Sequence, residues 1–102
     1  MYLIQLLLPR TKSGKAPLQD DAIAQTRAEL VAVFEGITAY LRSPAQGAWT
    51  APDGDVEVDE VVMVEVLTEE LDRAWWKAYT AKLAARFDQE VIHVRAVTVE
   101  TL

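Results

Sequence analysis

The 102-residue chain contains no cysteine. A disulfide framework, an iron–sulfur cluster, a zinc finger and a thiol nucleophile are therefore excluded. Its one histidine, His93, rules out a two-histidine metal site. Serine occurs only at Ser13 and Ser43, and neither stands in the Gly-x-Ser-x-Gly elbow that positions a hydrolase nucleophile. No apolar run approaches the roughly 20 residues that a membrane-crossing helix needs. The apolar stretch from Met1 is stopped at Pro9-Arg10 and lacks a basic n-region, so it makes a poor signal peptide. With no cysteine to oxidise and no export signal, a cytoplasmic location is expected. Positive charge is also scarce. The net charge is −6, which argues against a protein that wraps nucleic acid or an anionic membrane.

What is present describes an ordinary globular domain. Hydrophobic residues make up 51% of the chain and charged residues 25%, so residues 1–102 read as one domain with a real core. The charge is uneven. Asp53 to Asp72 holds nine acids and no base, so the rest of the chain carries +3. Arg10, Lys12 and Lys15 form a separate basic loop, but three residues make a small footprint for nucleic acid.

Hydrophobic patterning gives the order of elements. Tyr2 to Leu8 is a short apolar run that reads as a buried strand. After a polar loop with Gly14 and Pro17, Asp20 or Asp21 is placed to cap a helix carrying Ile23, Leu30 and Phe34, with Gly36 placed to end it. Ile37 to Arg42 alternates, Ser43-Pro44 interrupts, and Ala48 to Ala51 resumes extended structure. Pro52-Asp53-Gly54 is a turn signal, and Asp55 to Leu67 is a long valine-rich strand. Thr68 is placed to cap a second helix on which Leu71, Trp75, Tyr79, Leu83 and Phe87 recur every four residues. Trp75 and Trp76 are adjacent on that helix, so one packs on the sheet and the other on a neighbouring element. Val91 to Val99 is the last strand. The order β-α-β-β-α-β predicts an α+β, ferredoxin-like fold: a four-stranded antiparallel sheet with two helices on one face.

Alternation along each strand sorts side chains between the two faces. The face away from the helices receives Leu3, Leu7, Val61, Met63, Leu67, Val97 and Val99, together with the polar residues Gln5, Tyr40, Arg42, Glu65, His93 and Arg95. A soluble monomer seldom leaves so large an apolar patch in water, so a homodimer packed sheet to sheet is expected. The hairpin around Trp49 is long enough to embrace the second copy. In this topology Gln5 lies between Glu65 and Arg95, which are about 10 Å apart across two strand spacings. Two readings of the polar group stand side by side. In one it is a charge network inside a dimer interface. In the other it is a site, with Gln5, Tyr40, Arg42, Glu65 and Arg95 binding a small molecule and His93 moving a proton.

Other motifs are weaker. Asp53, Asp55, Glu57 and Asp59 do not have the spacing of an EF-hand, and alternate acids on a strand form a solvated face that resists edge-to-edge association; no metal is expected. Thr11 to Lys15 lacks the full phosphate-loop pattern, and no cofactor is expected.

Phe34-Glu35-Gly36-Ile37-Thr38-Ala39-Tyr40, then Gly47-Ala48-Trp49, the acidic hairpin and Leu71-Asp72-Arg73-Ala74-Trp75-Trp76 together resemble a group of small uncharacterised bacterial proteins of ferredoxin-like, dimeric α/β-barrel type. The matching motifs are structural and carry no catalytic residue. The resemblance implies a homodimer, and dimeric α/β barrels as a class include cofactor-free monooxygenases, haem-handling enzymes, isomerases and regulatory ligand binders. Two functions are thereby expected in competition: a cytoplasmic dimer that binds a small molecule or a protein through the uncovered face, or a monooxygenase- or isomerase-like enzyme that uses His93.

Overall fold

The computed structural model describes residues 1–10, 19–34, 37–50 and 56–102, with residues 37–50 and 56–60 described through their backbone alone. The elements are β1 (Tyr2–Pro9), α1 (Asp20–Val33), β2 (Ile37–Thr50), β3 (Val56–Thr68), α2 (Arg73–Arg86) and β4 (His93–Thr98). The strand order is β2-β3-β1-β4 and neighbours pair antiparallel. Two helices and an antiparallel sheet make this an α+β fold.

Alternation in β1 and β3 creates the core. Ile4, Leu6 and Leu8 face the helices with Val62, Val64 and Val66, all at or below 1% exposure. They meet Ile23 and Leu30 of α1 and Trp76, Tyr79 and Leu83 of α2, with Phe87 and Ile92 closing the end. Each such aliphatic side chain contributes about 1.5–3 kcal/mol when fully removed from water. Between the two tryptophans the choice falls on Trp76, which is buried, while Trp75 is half-buried. Trp75 stacks on Tyr79 with centroids 4.8 Å apart and meets Phe34 edge-on at 5.3 Å. The four-residue stripe thus swings by one position, because a helix turns 3.6 residues per cycle rather than four.

Both helix starts differ from the sequence expectation. Gln19, not Asp20 or Asp21, is the N-cap of α1, and no side chain caps it. Asp20 sits in the first turn and pairs with Arg10 at 3.0 Å. Thr68 does not cap α2. It ends β3, and its hydroxyl donates to the carbonyl of Glu70 at 2.7 Å. Asp72 caps α2 instead, its carboxylate accepting from the Trp75 backbone N–H at 3.0 Å. The turn residues Glu69 and Glu70 consume the space between strand and helix, so the cap falls four residues later.

β2 is one strand whose register with β3 shifts between Tyr40 and Ala45, at the Ser43-Pro44 interruption; proline has no N–H to give to a ladder. β4 is shorter than expected, with Ile92 buried just before it and Ala96 exposed. The turn at Pro52-Asp53-Gly54, the basic residues Lys12 and Lys15 and the helix-ending role of Gly36 lie outside the described residues.

Candidate functional site

The candidate site is built from the sheet face that the helices leave open. Antiparallel register stacks its residues in cross-strand rows. Leu67, Leu3 and Val97 form one row, Glu65, Gln5 and Arg95 the next, and Met63, Leu7 and His93 the third. A polar row therefore lies between an apolar row and a mixed one. Leu67 is 39% exposed and Val97 45%, whereas Leu3, Leu7 and Met63 are half-buried.

The polar row is fully connected. Gln5 Nε2 donates to Glu65 Oε2 at 2.7 Å, and Arg95 Nε donates to Gln5 Oε1 at 2.7 Å. A carboxylate only accepts and a guanidinium only donates. The Gln5 amide is therefore oriented by its neighbours, nitrogen toward Glu65 and oxygen toward Arg95. The amide spans the gap of two strand spacings and couples two opposite charges that do not touch directly. The row is neutral overall, and the terminal nitrogens of Arg95 make no hydrogen bond among the described residues.

His93 lies opposite Leu7, exposed and without a hydrogen-bond partner among the described residues. It shares the face with Arg95, about 7 Å along the strand. Tyr40 takes a register position opposite Met63, and Arg42 belongs to β2 within its register shift. Their side chains lie outside the described residues, as does that of Trp49. The structure thus brings Gln5, Glu65 and Arg95 into one network and places His93 beside it but unconnected.

A second polar centre escaped the strand-by-strand reading. Glu29 of α1 accepts two hydrogen bonds of 2.8 Å from Arg86 of α2, one on each oxygen. It also accepts from Tyr79 Oη at 2.9 Å and lies 3.4 Å from Lys82 Nζ. Buried Thr26 accepts from Arg86 at 3.0 Å and donates to the Ala22 carbonyl at 2.8 Å. The Arg86 hydrogen bonds, supported by Tyr79, hold the Glu29 carboxyl down to about 2. Burial, followed by the neighbouring Glu29, pushes the Tyr79 phenol up to about 12. The signal in the sequence was Tyr79, Lys82 and Arg86 on one helical face, but only the packing of the two helices identifies Glu29 as their partner.

Concavities among the described residues lie along the helices. One of about 430 Å³ lies where α1 ends and α2 begins, walled by Phe34, Trp75 and Trp76. Another of about 450 Å³ runs between the helices past Glu29, Tyr79 and Lys82. A third, of about 220 Å³, lies between α2 and β4 and includes Arg95 of the candidate residues. No described helix is long and apolar enough to cross a membrane.

Comparison with known proteins gives likeness of fold without likeness of sequence. No protein-family model matches the chain, and no curated protein matches it either. Among solved structures, CutA1 from Pyrococcus horikoshii OT3 carrying one substitution superposes with a TM-score of 0.63 at 12% identity, over 100% of this chain and 86% of that one. CutA of Pyrococcus horikoshii in 3 M guanidine hydrochloride gives 0.62 at 10% identity, over 100% and 87%. A phage SAM lyase in its apo state gives 0.58 at 14% identity, over 99% and 91%. The chain shares with them a small α+β fold of ferredoxin-like type, and at this identity the likeness extends to fold alone.

Proposed function

We propose that the chain is a four-stranded ferredoxin-like domain working as a cytoplasmic homodimer, closing its open sheet face on a second copy and binding a small molecule or protein partner there. The observation that carries this reading is the connected row Glu65–Gln5–Arg95 set beside exposed Leu67 and Val97. An apolar surface rewards burial, and a polar row inside it can be buried only if its groups are paired. Here they are paired within one chain. The row also presents a negative end and a positive end, so two copies related by a two-fold axis can set Arg95 against the second copy's carboxylate.

The enzymatic reading ranks second. His93 is exposed and unpartnered among the described residues, which fits a surface histidine better than an acid–base group held in a pocket. In the binding reading, Gln5, Glu65 and Arg95 supply polar recognition, with Tyr40 and Arg42 joining them from β2.

Because the chain has no cysteine, single-cysteine variants give a clean test. Leu67→Cys on the open face is expected to form interchain disulfides under mild oxidation. Val31→Cys, 59% exposed on a helix, is expected to stay monomeric on a denaturing gel. Equal cross-linking of both variants, or none of either, contradicts the proposal.

A further inference from the structure

We propose that the cavity between the end of α1 and the start of α2 binds a small organic cation with a quaternary ammonium head. The cavity holds about 430 Å³, within the roughly 300–1,000 Å³ of small-molecule sites. Phe34, Trp75 and Trp76 wall it, its polar side chains are Glu70 and Asp72, and the rest of its lining is aliphatic. No Lys, Arg or His lines it. Arg73, next in sequence to Asp72, lines the cleft between α2 and β4 instead. Both carboxylates belong to the stretch Asp53 to Asp72, which holds nine acids and no base. Negative groups thus stand beside aromatic rings with no positive group among the lining residues, and a cation placed between them is attracted by both.

An aromatic ring carries negative potential on its face, and rings gathered around one space hold quaternary ammonium groups by that attraction. Phe34 and Trp75 stand at 88° with centroids 5.3 Å apart, and Trp75 and Trp76 at 82° and 4.8 Å. The wall therefore carries rings turned in two perpendicular directions. Phe34 and Trp75 are half-buried, so neither is sealed in the core. Asp72 is held beside Trp75, its carboxylate accepting from the Trp75 backbone N–H at 3.0 Å. Glu70 is exposed and has no ion-pair partner among the described residues. The chemistry fits an alkylated head better than a primary ammonium. A primary ammonium brings three N–H donors, and the lining side chains that accept hydrogen bonds are Glu70 and Asp72 alone. A donor turned toward the rings would lose its water without a replacement. Alkyl groups remove the donors and meet the apolar walls. The cavity shares no residue with the rows of the open sheet face, so its occupation is separate from pairing through that face.

The test is a titration of the full-length chain with choline chloride, followed by NMR at constant ionic strength. The controls are sodium chloride and 3,3-dimethylbutan-1-ol, the uncharged carbon analogue of choline. Saturable shifts are expected in the indole N–H signals of Trp75 and Trp76, with the choline methyl protons moved upfield by the rings. The uncharged analogue and ethanolamine should each bind more weakly. Trp75→Leu should weaken choline binding by about tenfold. Glu70→Gln, an exposed change that leaves the circular dichroism spectrum unaltered, should weaken it by about threefold and keeps the test open if Trp75→Leu unfolds. Glu90→Gln, an equal change at an exposed acid outside the cavity, should leave the affinity as it was. The proposal is overturned by equal binding of choline and its uncharged analogue, by a Glu70→Gln chain that titrates like the parent, or by capture of a trimethyllysine peptide without a response to choline.

Discussion

Arg86 clasps Glu29 across the helix pair with two parallel hydrogen bonds of 2.8 Å. The Arg86 side chain is only 10% exposed, so the clasp works where water competes weakly. It fastens α1 to α2, with Thr26 and Tyr79 completing the hydrogen bonding. Removing one partner leaves the other charge incompletely matched.

Glu29→Gln is expected to cost about 2 kcal/mol at neutral pH, the range for hydrogen bonds to charged groups. Its signature is the pH dependence. The folded state holds the Glu29 carboxyl down to about 2 against an ordinary 4.5. The stabilisation is therefore complete above the ordinary value and fades as pH falls from 4.5 toward 2. Urea unfolding across that window should show the parent chain losing stability more steeply than Glu29→Gln. At the alkaline end, the raised Tyr79 phenol contributes stability that is lost as pH climbs from 10 toward about 12. Glu29→Gln should bring Tyr79 only part of the way back, because burial, the larger cause, persists; phenolate absorbance measures this.

The cap of α2 gives a second outcome. Asp72→Ala removes the acceptor for the Trp75 N–H and should cost about 1 kcal/mol, with Asp72→Ser restoring most of it. Asp20→Ala removes only an exposed ion pair with Arg10 and should cost no more than about 0.5 kcal/mol. Urea midpoints of the three variants check the order.

The end of α2 gives a third. Gln89 N–H bonds to the Ala84 carbonyl at 2.9 Å and Asp88 N–H to the Ala85 carbonyl at 3.3 Å, the paired closure that commonly ends a helix. The closure places Asp88 at φ 52°, a region that costs most residues with a Cβ and spares glycine. Asp88→Ala should be less stable than Asp88→Gly by about 1 kcal/mol, as read from thermal unfolding.

Much of the fold was legible because its determinants are local. Ile4, Leu6 and Leu8 alternate with Leu3, Gln5 and Leu7, and Val62, Val64 and Val66 alternate with Met63 and Glu65, so the faces of β1 and β3 follow from period two alone. That alternation, with Gln5 on the middle strand of the three, also makes the row Glu65–Gln5–Arg95 legible in the sequence. The helix starts were less legible. Several short polar residues compete for each cap, and Asp72 prevails over Thr68 only because the chain needs a turn after β3. The Glu29–Arg86 clasp was hidden for another reason: it joins residues 57 positions apart, and neither helix alone contains both ends. The choice of Trp76 over Trp75 likewise depends on the rotation of α2 against the sheet, which a stripe of apolar residues fixes only to within one position.

In the proposed dimer the open sheet face, with Leu67 and Val97 exposed around the Glu65–Gln5–Arg95 row, closes on a second copy of the chain. Sedimentation equilibrium of the full-length protein at micromolar concentration tests it most directly. A species of twice the 11.4 kDa chain mass is expected, shifting toward the chain mass when Leu67 and Val97 are both changed to Asp. A single 11.4 kDa species throughout the micromolar range would contradict it.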